Sequence, residues 1–285
     1  MKKSIIYLFA AGSLTLLTIS CKKENAGSGL KAVFSYVADG YKVNFTNFSA
    51  DATTYSWDFG DSSGQKSTNR SPEHVFTHKG DFLVSLTASN GTETNVFKDT
   101  VSIIGPNIRI DGDFTDWQYV PYTYQNAAAY SSTIRSIKSF ASSDQIYFYL
   151  EGTSDMKMEI MDIYMDSDNN PATGYGTWYY PVASGADFLL EGSPTGGWGD
   201  VFAHIEPGTG WGWNGVSTFP DALNFSALKT VAGKNIIEFS IKRSSLGTTR
   251  NFVNVGIVES NSGWTEIGKI PEAQTPTSKF LAIQL

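Results

Sequence analysis

The sequence predicts an all-β protein built from two successive β-sandwiches, and three observations lead to this prediction. Short segments with alternating apolar and polar residues recur along the chain; in "DFLVSLTAS" Phe82, Val84 and Leu86 share one face. Turn residues, above all 27 glycines, separate these segments. Long amphipathic helical patterns are not evident, and only 17% of the residues are charged. In a chain of 285 residues these features indicate roughly two extracellular sandwich domains.

The first 20 residues have the features of a secretory signal peptide. Lys2 and Lys3 form a basic start, and the uncharged apolar run 5–19 is shorter than the about 20 residues that a membrane span needs. The run ends in "TISC" (18–21), which resembles the lipobox of bacterial lipoproteins. That resemblance implies a lipid anchor on Cys21 and a short tether over residues 21–29. The alternative is an ordinary signal peptide with an incidental cysteine.

Charge and residue usage argue against several classes of function. The formal net charge is −7 without a basic cluster, which is a poor match to nucleic-acid binding. Cys21 is the single cysteine, so no internal disulfide framework and no further cysteine nucleophile are expected. The three histidines are scattered, and no phosphate-binding loop is present. The sequence therefore predicts no catalytic residue.

The first domain is predicted over residues 30–105, and its strands over 32–37, 41–47, 53–59, 73–78, 81–89 and 96–104. In "YSWDFGDSSG" (55–64), Trp57 and Phe59 alternate inward and Gly60-Asp61 turns the chain. This motif and "SPEHVFTHKGDFLVSLTASNG" (71–91) resemble the PKD domain, an immunoglobulin-like β-sandwich. The resemblance implies a spacer or interaction module. Pro106 cannot donate to a strand ladder and marks the predicted boundary.

The second domain is predicted over residues 106–285. Its expected strands are 136–141, 145–151, 158–165, 177–183, 186–191, 200–205, 236–242, 252–259 and 279–284, with short helical turns at 225–230 and 243–247. The segments "IDGDFTDW" (110–117), "IYFYLEG" (146–152) and "GADFLLEG" (185–192) resemble the carbohydrate-binding module family 9-like, or DOMON-like, β-sandwiches. The resemblance implies a larger sandwich of the jelly-roll type that binds glycans. The stretch 198–224 matches no pattern.

An acidic loop, "MDSDNNPATGY" (165–175), is a candidate metal site. Asp166, Asp168 and Asn170 alternate along the loop and can turn their oxygens inward, and Ca²⁺ takes six to eight oxygen ligands. Asp187 is the predicted additional ligand, with Asp162 as another candidate. The loop is not an EF-hand, because Pro171 stands at the glycine position. The alternative is a polar turn in which asparagine side chains bond to nearby backbone.

Six of the seven tryptophans lie in the second domain, several beside glycines. Trp117 is predicted to be core. Flat aromatic faces suit the apolar faces of sugars, and neighbouring acidic oxygens suit the hydroxyl groups. The predicted glycan contacts are Trp178, Tyr179, Trp198, Trp211, Trp213, Asp187, Glu191 and Asp200. The alternative is that these tryptophans pack onto the sandwich.

The run "MEIMDIYMD" (158–166) raises the possibility of a carboxylate pair that hydrolyses glycosides. On a regular strand, however, Glu159 and Asp162 point to opposite faces, which argues against an enzyme. The architecture resembles that of Bacteroidetes surface glycan-binding lipoproteins, which deliver polysaccharide to an outer-membrane importer. The sequence thus predicts an outer-membrane, cell-surface lipoprotein that binds a polysaccharide or oligosaccharide. The alternatives are an adhesive protein with a protein partner and a glycoside hydrolase.

Overall fold

The computed structural model describes residues 29–285, which form four antiparallel sheets in two sandwiches. The predicted signal peptide and the lipidation site Cys21 lie outside the described residues. Within the part of the chain that is described, no helix combines the length and apolar character needed to cross a membrane.

The first sandwich contains a three-stranded sheet, in the order β1-β2-β5, and a four-stranded sheet, in the order β4-β3-β6-β7. The strands are β1 (Phe34–Asp39), β2 (Lys42–Asn47), β3 (Thr54–Asp58), β4 (Lys66–Ser67), β5 (Glu73–Val75), β6 (Gly80–Ser89) and β7 (Thr94–Ile103).

Trp57 lies at the centre of this sandwich, as predicted. It is fully buried, and its ring centroid lies 5.2 Å from that of Phe34 and 5.3 Å from that of Phe45. Its indole nitrogen donates a hydrogen bond of 2.9 Å to the carbonyl oxygen of Asn69, so the polar edge of the buried ring is satisfied. The alternation in β6 places Phe82 and its i+2 neighbours in the same core.

The second sandwich contains a six-stranded and a seven-stranded sheet. Its strands are β8 (Tyr124–Gln125), β9 (Ile134–Ala141), β10 (Gln145–Gly152), β11 (Ile160–Asp166), β12 (Phe188–Ser193), β13 (Trp198–His204), β14 (Trp213–Thr218), β15 (Leu223–Phe225), β16 (Lys229–Val231), β17 (Lys234–Lys242), β18 (Phe252–Ser260), β19 (Glu266–Ile270) and β20 (Leu281–Gln284). One helical turn, α1 (Phe219–Ala222), and 3₁₀ turns at Phe114–Trp117 and Arg243–Leu246 complete it.

The six-stranded sheet has the order β15-β17-β10-β9-β8, with β16 also paired to β17. The seven-stranded sheet has the order β14-β13-β12-β11-β18-β19, with β20 also paired to β18. The core lies between them: Phe148 stacks on Phe239, and Met161, Ile163 and Met165 point inward from β11. Because side chains alternate along a strand, Asp162 and Tyr164 point to the outer face of the seven-stranded sheet.

The "IDGDFTDW" segment is fixed to the second sandwich by one buried carboxylate. Glu238 on β17 accepts hydrogen bonds from the backbone N–H of Gly112 at 2.6 Å and from the Trp117 indole nitrogen at 2.8 Å. Trp117 is 1% exposed, so its predicted place in the core is confirmed. Burial raises the pKa of Glu238, and these donors lower it again.

Two predicted elements of the second sandwich are wrong. Residues 177–183 form turns rather than a strand: the N–H of Tyr180 donates back to the Thr177 carbonyl, and Ala183 has a φ of +52°. Residues 225–230 are not helical, because β15 and β16 pair with β17 there. The sequence also failed to predict β8, β14, β15, β16 and β19. The helical turn predicted at 243–247 is confirmed as a 3₁₀ turn.

The two sandwiches contact each other through aromatic and cationic side chains. Tyr41 meets Phe140 edge-on at 6.5 Å, and the ammonium group of Lys42 lies 5.6 Å above the ring of Tyr119. Lys79 donates a hydrogen bond of 3.3 Å to the Ala141 carbonyl oxygen.

Candidate functional site

Three acidic residues stand side by side on the outer face of the seven-stranded sheet. Asp162 on β11 lies directly opposite Glu191 on β12, and Glu191 lies directly opposite Asp200 on β13. Side chains paired in this way have Cβ atoms about 4.5–5.5 Å apart. We call these three residues the carboxylate row. Asp162 and Glu191 are half-buried and Asp200 is exposed, so the row opens to solvent at the β13 side.

The row is electrostatically unfavourable for the fold. Burial, together with the charges of Glu191 and Glu266, raises the pKa of Asp162 to about 7. Its Oδ1 atom is buried and has no hydrogen-bond partner within residues 29–285. Burial also raises the pKa of Glu191. The nearby cation, Lys269, pairs with Glu266 at 2.8 Å. The row therefore contains an acid that is partly protonated at neutral pH.

An aromatic cluster lies on one side of the carboxylate row, further along β11. Tyr164, two residues after Asp162, lies 5.8 Å from Tyr179 between ring centroids, and Tyr179 lies 4.2 Å from Trp178. Tyr175 continues the cluster on the other side of Tyr164, at 6.3 Å. It makes edge contacts with Trp211 at 5.2 Å and Trp213 at 5.7 Å. The structure thus brings together four of the five aromatic residues predicted to contact glycan.

These aromatic residues differ in what they offer to a ligand. Trp178 is 57% exposed and Trp211 is also exposed, so both present ring surface to solvent. Tyr179 is buried, and its hydroxyl donates to the carboxylate of Glu266, so its role is to support Trp178. Trp213 is half-buried beneath Trp211, which agrees with the alternative prediction that these tryptophans pack onto the sandwich.

A second pair of tryptophans lies on the opposite side of the row, near the start of β13. Trp198 precedes Asp200 by two residues on β13, on the same face, and is 49% exposed. With Trp264, which is 56% exposed, it flanks a cavity of about 330 Å³ that is also lined by Glu159 and Ser193. Trp264 is not among the predicted ligand contacts. The signal was present in "NSGW", where a glycine precedes the tryptophan as in the other loops.

The acidic loop forms a second cluster of carboxylates. Asp166, Asp168 and Asp187 each offer an oxygen, and these oxygens lie within 4.8 Å of one another. Asp187 is drawn into the loop because its Oδ2 accepts hydrogen bonds from the backbone N–H groups of Ser167, at 2.8 Å, and Asp168, at 3.1 Å. The structure thus places Asp187 with the predicted metal ligands and apart from the carboxylate row.

The fourth predicted metal ligand, Asn170, turns towards the backbone. Its Oδ1 accepts from the N–H of Ala172 at 3.3 Å, and its own N–H donates to Asp168 at 2.8 Å. The acidic loop therefore has both features that were predicted as alternatives: a polar turn at Asn170 and a cluster of three carboxylates. The loop closes at Gly174, where a Cβ would lie 2.5 Å from the Gly185 carbonyl oxygen. Three carboxylate oxygens are a donor set that suits Ca²⁺, and further oxygens would have to come from backbone or water.

The carboxylates of this cluster repel one another, and a bound cation would compensate for that repulsion. Burial raises the pKa of Asp166 and Asp187, and each also has a neighbouring carboxylate that raises it further. Asp166 accepts a hydrogen bond of 3.0 Å from the side chain of Asn254, which compensates only part of the buried charge. A cavity of about 600 Å³ lies beside Asp166, Asn169 and Asn254.

Known proteins resemble the two sandwiches separately. The first sandwich matches the family model of the PKD domain, over residues 29–95. The PKD domain is similar to the PKD1 domain of the Vibrio cholerae metalloprotease PrtV, with 29% identity over 26% of this chain and 95% of that chain and a TM-score of 0.24. The PKD1 domain of Vibrio anguillarum Epp is 34% identical over 26% of this chain and 93% of that chain, with a TM-score of 0.25.

A larger part of the chain is similar to a carbohydrate-binding module. The family 9 module from Caldicellulosiruptor kristjanssonii, solved in complex with cellotriose, is 13% identical over 63% of this chain and 89% of that chain, with a TM-score of 0.36. No curated protein matches the chain.

Proposed function

We propose that this protein is a cell-surface lipoprotein that binds an extracellular glycan non-covalently on the outer face of the seven-stranded sheet. One observation carries the proposal: exposed indole rings lie on both sides of the carboxylate row. Trp198 precedes Asp200 by two residues on β13, and Trp178 packs on Tyr179, which contacts Tyr164 on β11. Indole faces provide apolar contact to sugar rings, and carboxylate oxygens accept hydrogen bonds from sugar hydroxyls. Aromatic and acidic groups are thus presented together on one open surface.

The size of this surface favours a chain of sugars over a single sugar. Trp198 and His204 are the first and last residues of β13, which corresponds to about 20 Å at the rise of an extended strand. The ring of His204 contacts Trp213 at 5.3 Å, so the aromatic cluster reaches the far end of the strand. A ligand that contacts both ends is therefore a polysaccharide or an oligosaccharide of several units.

The PKD domain would act as a spacer in this proposal. A lipid anchor on Cys21 would place the PKD domain next to the outer membrane and the glycan-binding sandwich beyond it. The contact between Tyr41 and Phe140 supports a spacer that holds the second sandwich in a preferred orientation. A partner in the outer membrane, such as an importer, would then take up the bound glycan.

Calcium would stabilise one edge of the glycan surface. The acidic loop leads directly into Tyr175 and Trp178, and Tyr175 forms an isolated bridge with Ala186, next to Asp187. A cation held by Asp166, Asp168 and Asp187 would therefore fix the position of the aromatic cluster. We infer a structural role, because the exposed indoles rather than the acidic loop present the contact surface.

A glycoside hydrolase is the second candidate, and the pair Asp162 and Glu191 favours it. Retaining glycosidases hold two carboxyl groups about 5–5.5 Å apart, and a raised pKa suits a general acid. Binding remains the better supported function because one carboxyl oxygen of Asp162 is buried and out of reach of a substrate, whereas Asp200 and the neighbouring Trp198 are exposed.

Affinity gel electrophoresis on a panel of polysaccharides tests the proposal. We expect the purified protein to be retarded by at least one polysaccharide, and expect Trp178→Ala and Trp198→Ala each to reduce the affinity at least tenfold. Phe48→Ala is the matched control, because Phe48 is an exposed aromatic residue of the PKD domain. Thermal melting of each variant checks folding. Retardation that is unchanged in both tryptophan variants would show that the surface is not the glycan site.

A further inference from the structure

The proposed glycan surface is more acidic than the binding of neutral sugars requires. The carboxylate row contributes three acidic groups, and Glu159 contributes a fourth in the cavity between Trp198 and Trp264. Within residues 29–285, no lysine, arginine or histidine nitrogen lies within 4.0 Å of these four carboxyl groups. Polysaccharides rich in uronate or sulfate would be repelled by such a surface.

The carboxylate row also lowers the stability of the folded protein, and no other group of the described chain compensates for this. The buried Oδ1 of Asp162 has no partner within the described part of the chain, and an unpaired buried acceptor is destabilising. Glu191 lies directly opposite and adds repulsion between like charges. A ligand that brings a positive charge to the exposed side of the row would reduce the repulsion between the carboxyl groups, whereas a neutral hydroxyl would not.

Aromatic rings beside the acidic groups strengthen the attraction for a cation. The faces of tryptophan rings attract ammonium groups, and bonds from an ammonium to a carboxylate are about twice as strong as neutral hydrogen bonds. Trp198 lies two residues from Asp200 on the same face, so a sugar stacked on this indole has its substituents next to the row. The same sugar would reach the cavity that contains Glu159.

We propose that this surface selects polysaccharides that carry protonated amino groups, such as polymers of glucosamine, with Glu191 and Asp200 accepting hydrogen bonds from the ammonium groups while Trp198 stacks on the sugar ring. The inference rests on the proposed glycan-binding function and specifies its ligand class. It also assigns Trp264 and Glu159 to the ligand surface.

Three hexasaccharides with the same β-1,4 backbone test the inference by isothermal titration calorimetry of the purified protein. They are the hexamer of glucosamine, the hexamer of N-acetylglucosamine and cellohexaose, which differ only in the substituent at carbon 2. At pH 6 and low salt, we expect the glucosamine hexamer to bind at least tenfold more tightly than cellohexaose. This preference should decrease at high salt because it depends on charge.

Two variants distinguish recognition of the amino groups by the carboxylate row from a general attraction of cationic sugars to an acidic protein. The double variant Glu191→Gln with Asp200→Asn should bring the ratio of the two affinities close to one, since it removes the two carboxylates that accept from the ammonium groups but keeps the shape of their side chains. Glu93→Gln is the matched control: it removes one exposed carboxylate of the PKD domain, and the ratio should not change.

The outcomes distinguish the inference from the function on which it rests. Equal affinity for the three hexamers would overturn the selectivity for amino sugars but leave glycan binding intact. A preference for glucosamine that survives the double variant would overturn the assignment to the carboxylate row. If none of the three hexamers binds and the polysaccharide panel also fails, both the inference and the proposed function are wrong.

Discussion

Asp162 and Glu191 lie directly opposite each other on β11 and β12, and both side chains point to the outer face of the seven-stranded sheet. A pair of carboxyl groups at this spacing does not ionise independently, because the charge of one disfavours the charge of the other. At Asp162 burial is the larger cause and the charge of Glu191 adds to it, and together with Glu266 they raise the pKa to about 7. The two strands therefore share a site that is costly to the fold above neutral pH.

Replacing Asp162 by Asn should stabilise the protein, and more at pH 8 than at pH 5. The pKa of Asp162 is about 7 in the folded protein and 3.8 in the unfolded reference. The unfolded state therefore releases the proton first, and the cost of the aspartate grows from about pH 4 to pH 7 and is complete above that. The gain at pH 8 is at most about 4 kcal/mol. Urea unfolding at both pH values measures it.

Asp99→Asn is a matched control for this prediction, because Asp99 is an exposed aspartate on β7. Its effect on the free energy of unfolding should be small at both pH values. An equal gain for Asp162→Asn at pH 5 and pH 8 would show that ionisation of the row is not the cause.

Replacing Trp117 by Phe should destabilise the second sandwich by about 2–4 kcal/mol. The change removes the hydrogen bond from the indole nitrogen to Glu238, which is fully buried. The remaining donors to Glu238 are backbone N–H groups of Asp111 and Gly112, so the carboxylate keeps only part of its compensation. Urea unfolding provides the measurement. Trp264→Phe at an exposed position serves as the control, and a similar loss in both variants would contradict the role of Glu238.

Removing calcium should lower the melting temperature of the protein. A cation that binds only the folded state stabilises it by about 2.7 kcal/mol when its concentration is 100 times the dissociation constant. Melting scans with EDTA and with excess calcium measure the shift. Asp166→Asn should abolish the shift, because Asp166 is the buried member of the cluster, whereas Asp200→Asn should retain it. The calcium hypothesis fails if the wild-type protein melts at the same temperature in both conditions.

The alternation of apolar and polar residues was sufficient to predict the two sandwiches. It was not sufficient to predict which residues meet on the outer face of the seven-stranded sheet. Alternation identifies the inward positions of β6, and the surroundings of Trp57 confirm them. The segment 177–183 has the composition of a strand, yet it forms turns because Tyr175 and Ala186 pair and close the chain around it. Strand preference is therefore overridden by tertiary contacts.

The carboxylate row shows why the candidate site could be predicted only in part. Alternation on β11 assigns Asp162 to one face, but its neighbours depend on the register between three strands. That register is set by the loops 167–187 and 194–197, which the sequence does not determine. The acidic loop was easier to predict, because Asp166 and Asp168 are close in sequence and need only Asp187 from the next strand.

Incubation with the three hexasaccharides distinguishes binding from hydrolysis. We expect no shorter products by chromatography. A glycosidase needs an acid that reaches the leaving-group oxygen and a second carboxylate placed on the sugar carbon, whereas one carboxyl oxygen of Asp162 is closed to solvent. Boiled protein controls for spontaneous cleavage. Products that disappear in Asp162→Asn, while the variant still binds the hexamers, would show that Asp162 and Glu191 form a catalytic pair and would replace the binding function with hydrolysis.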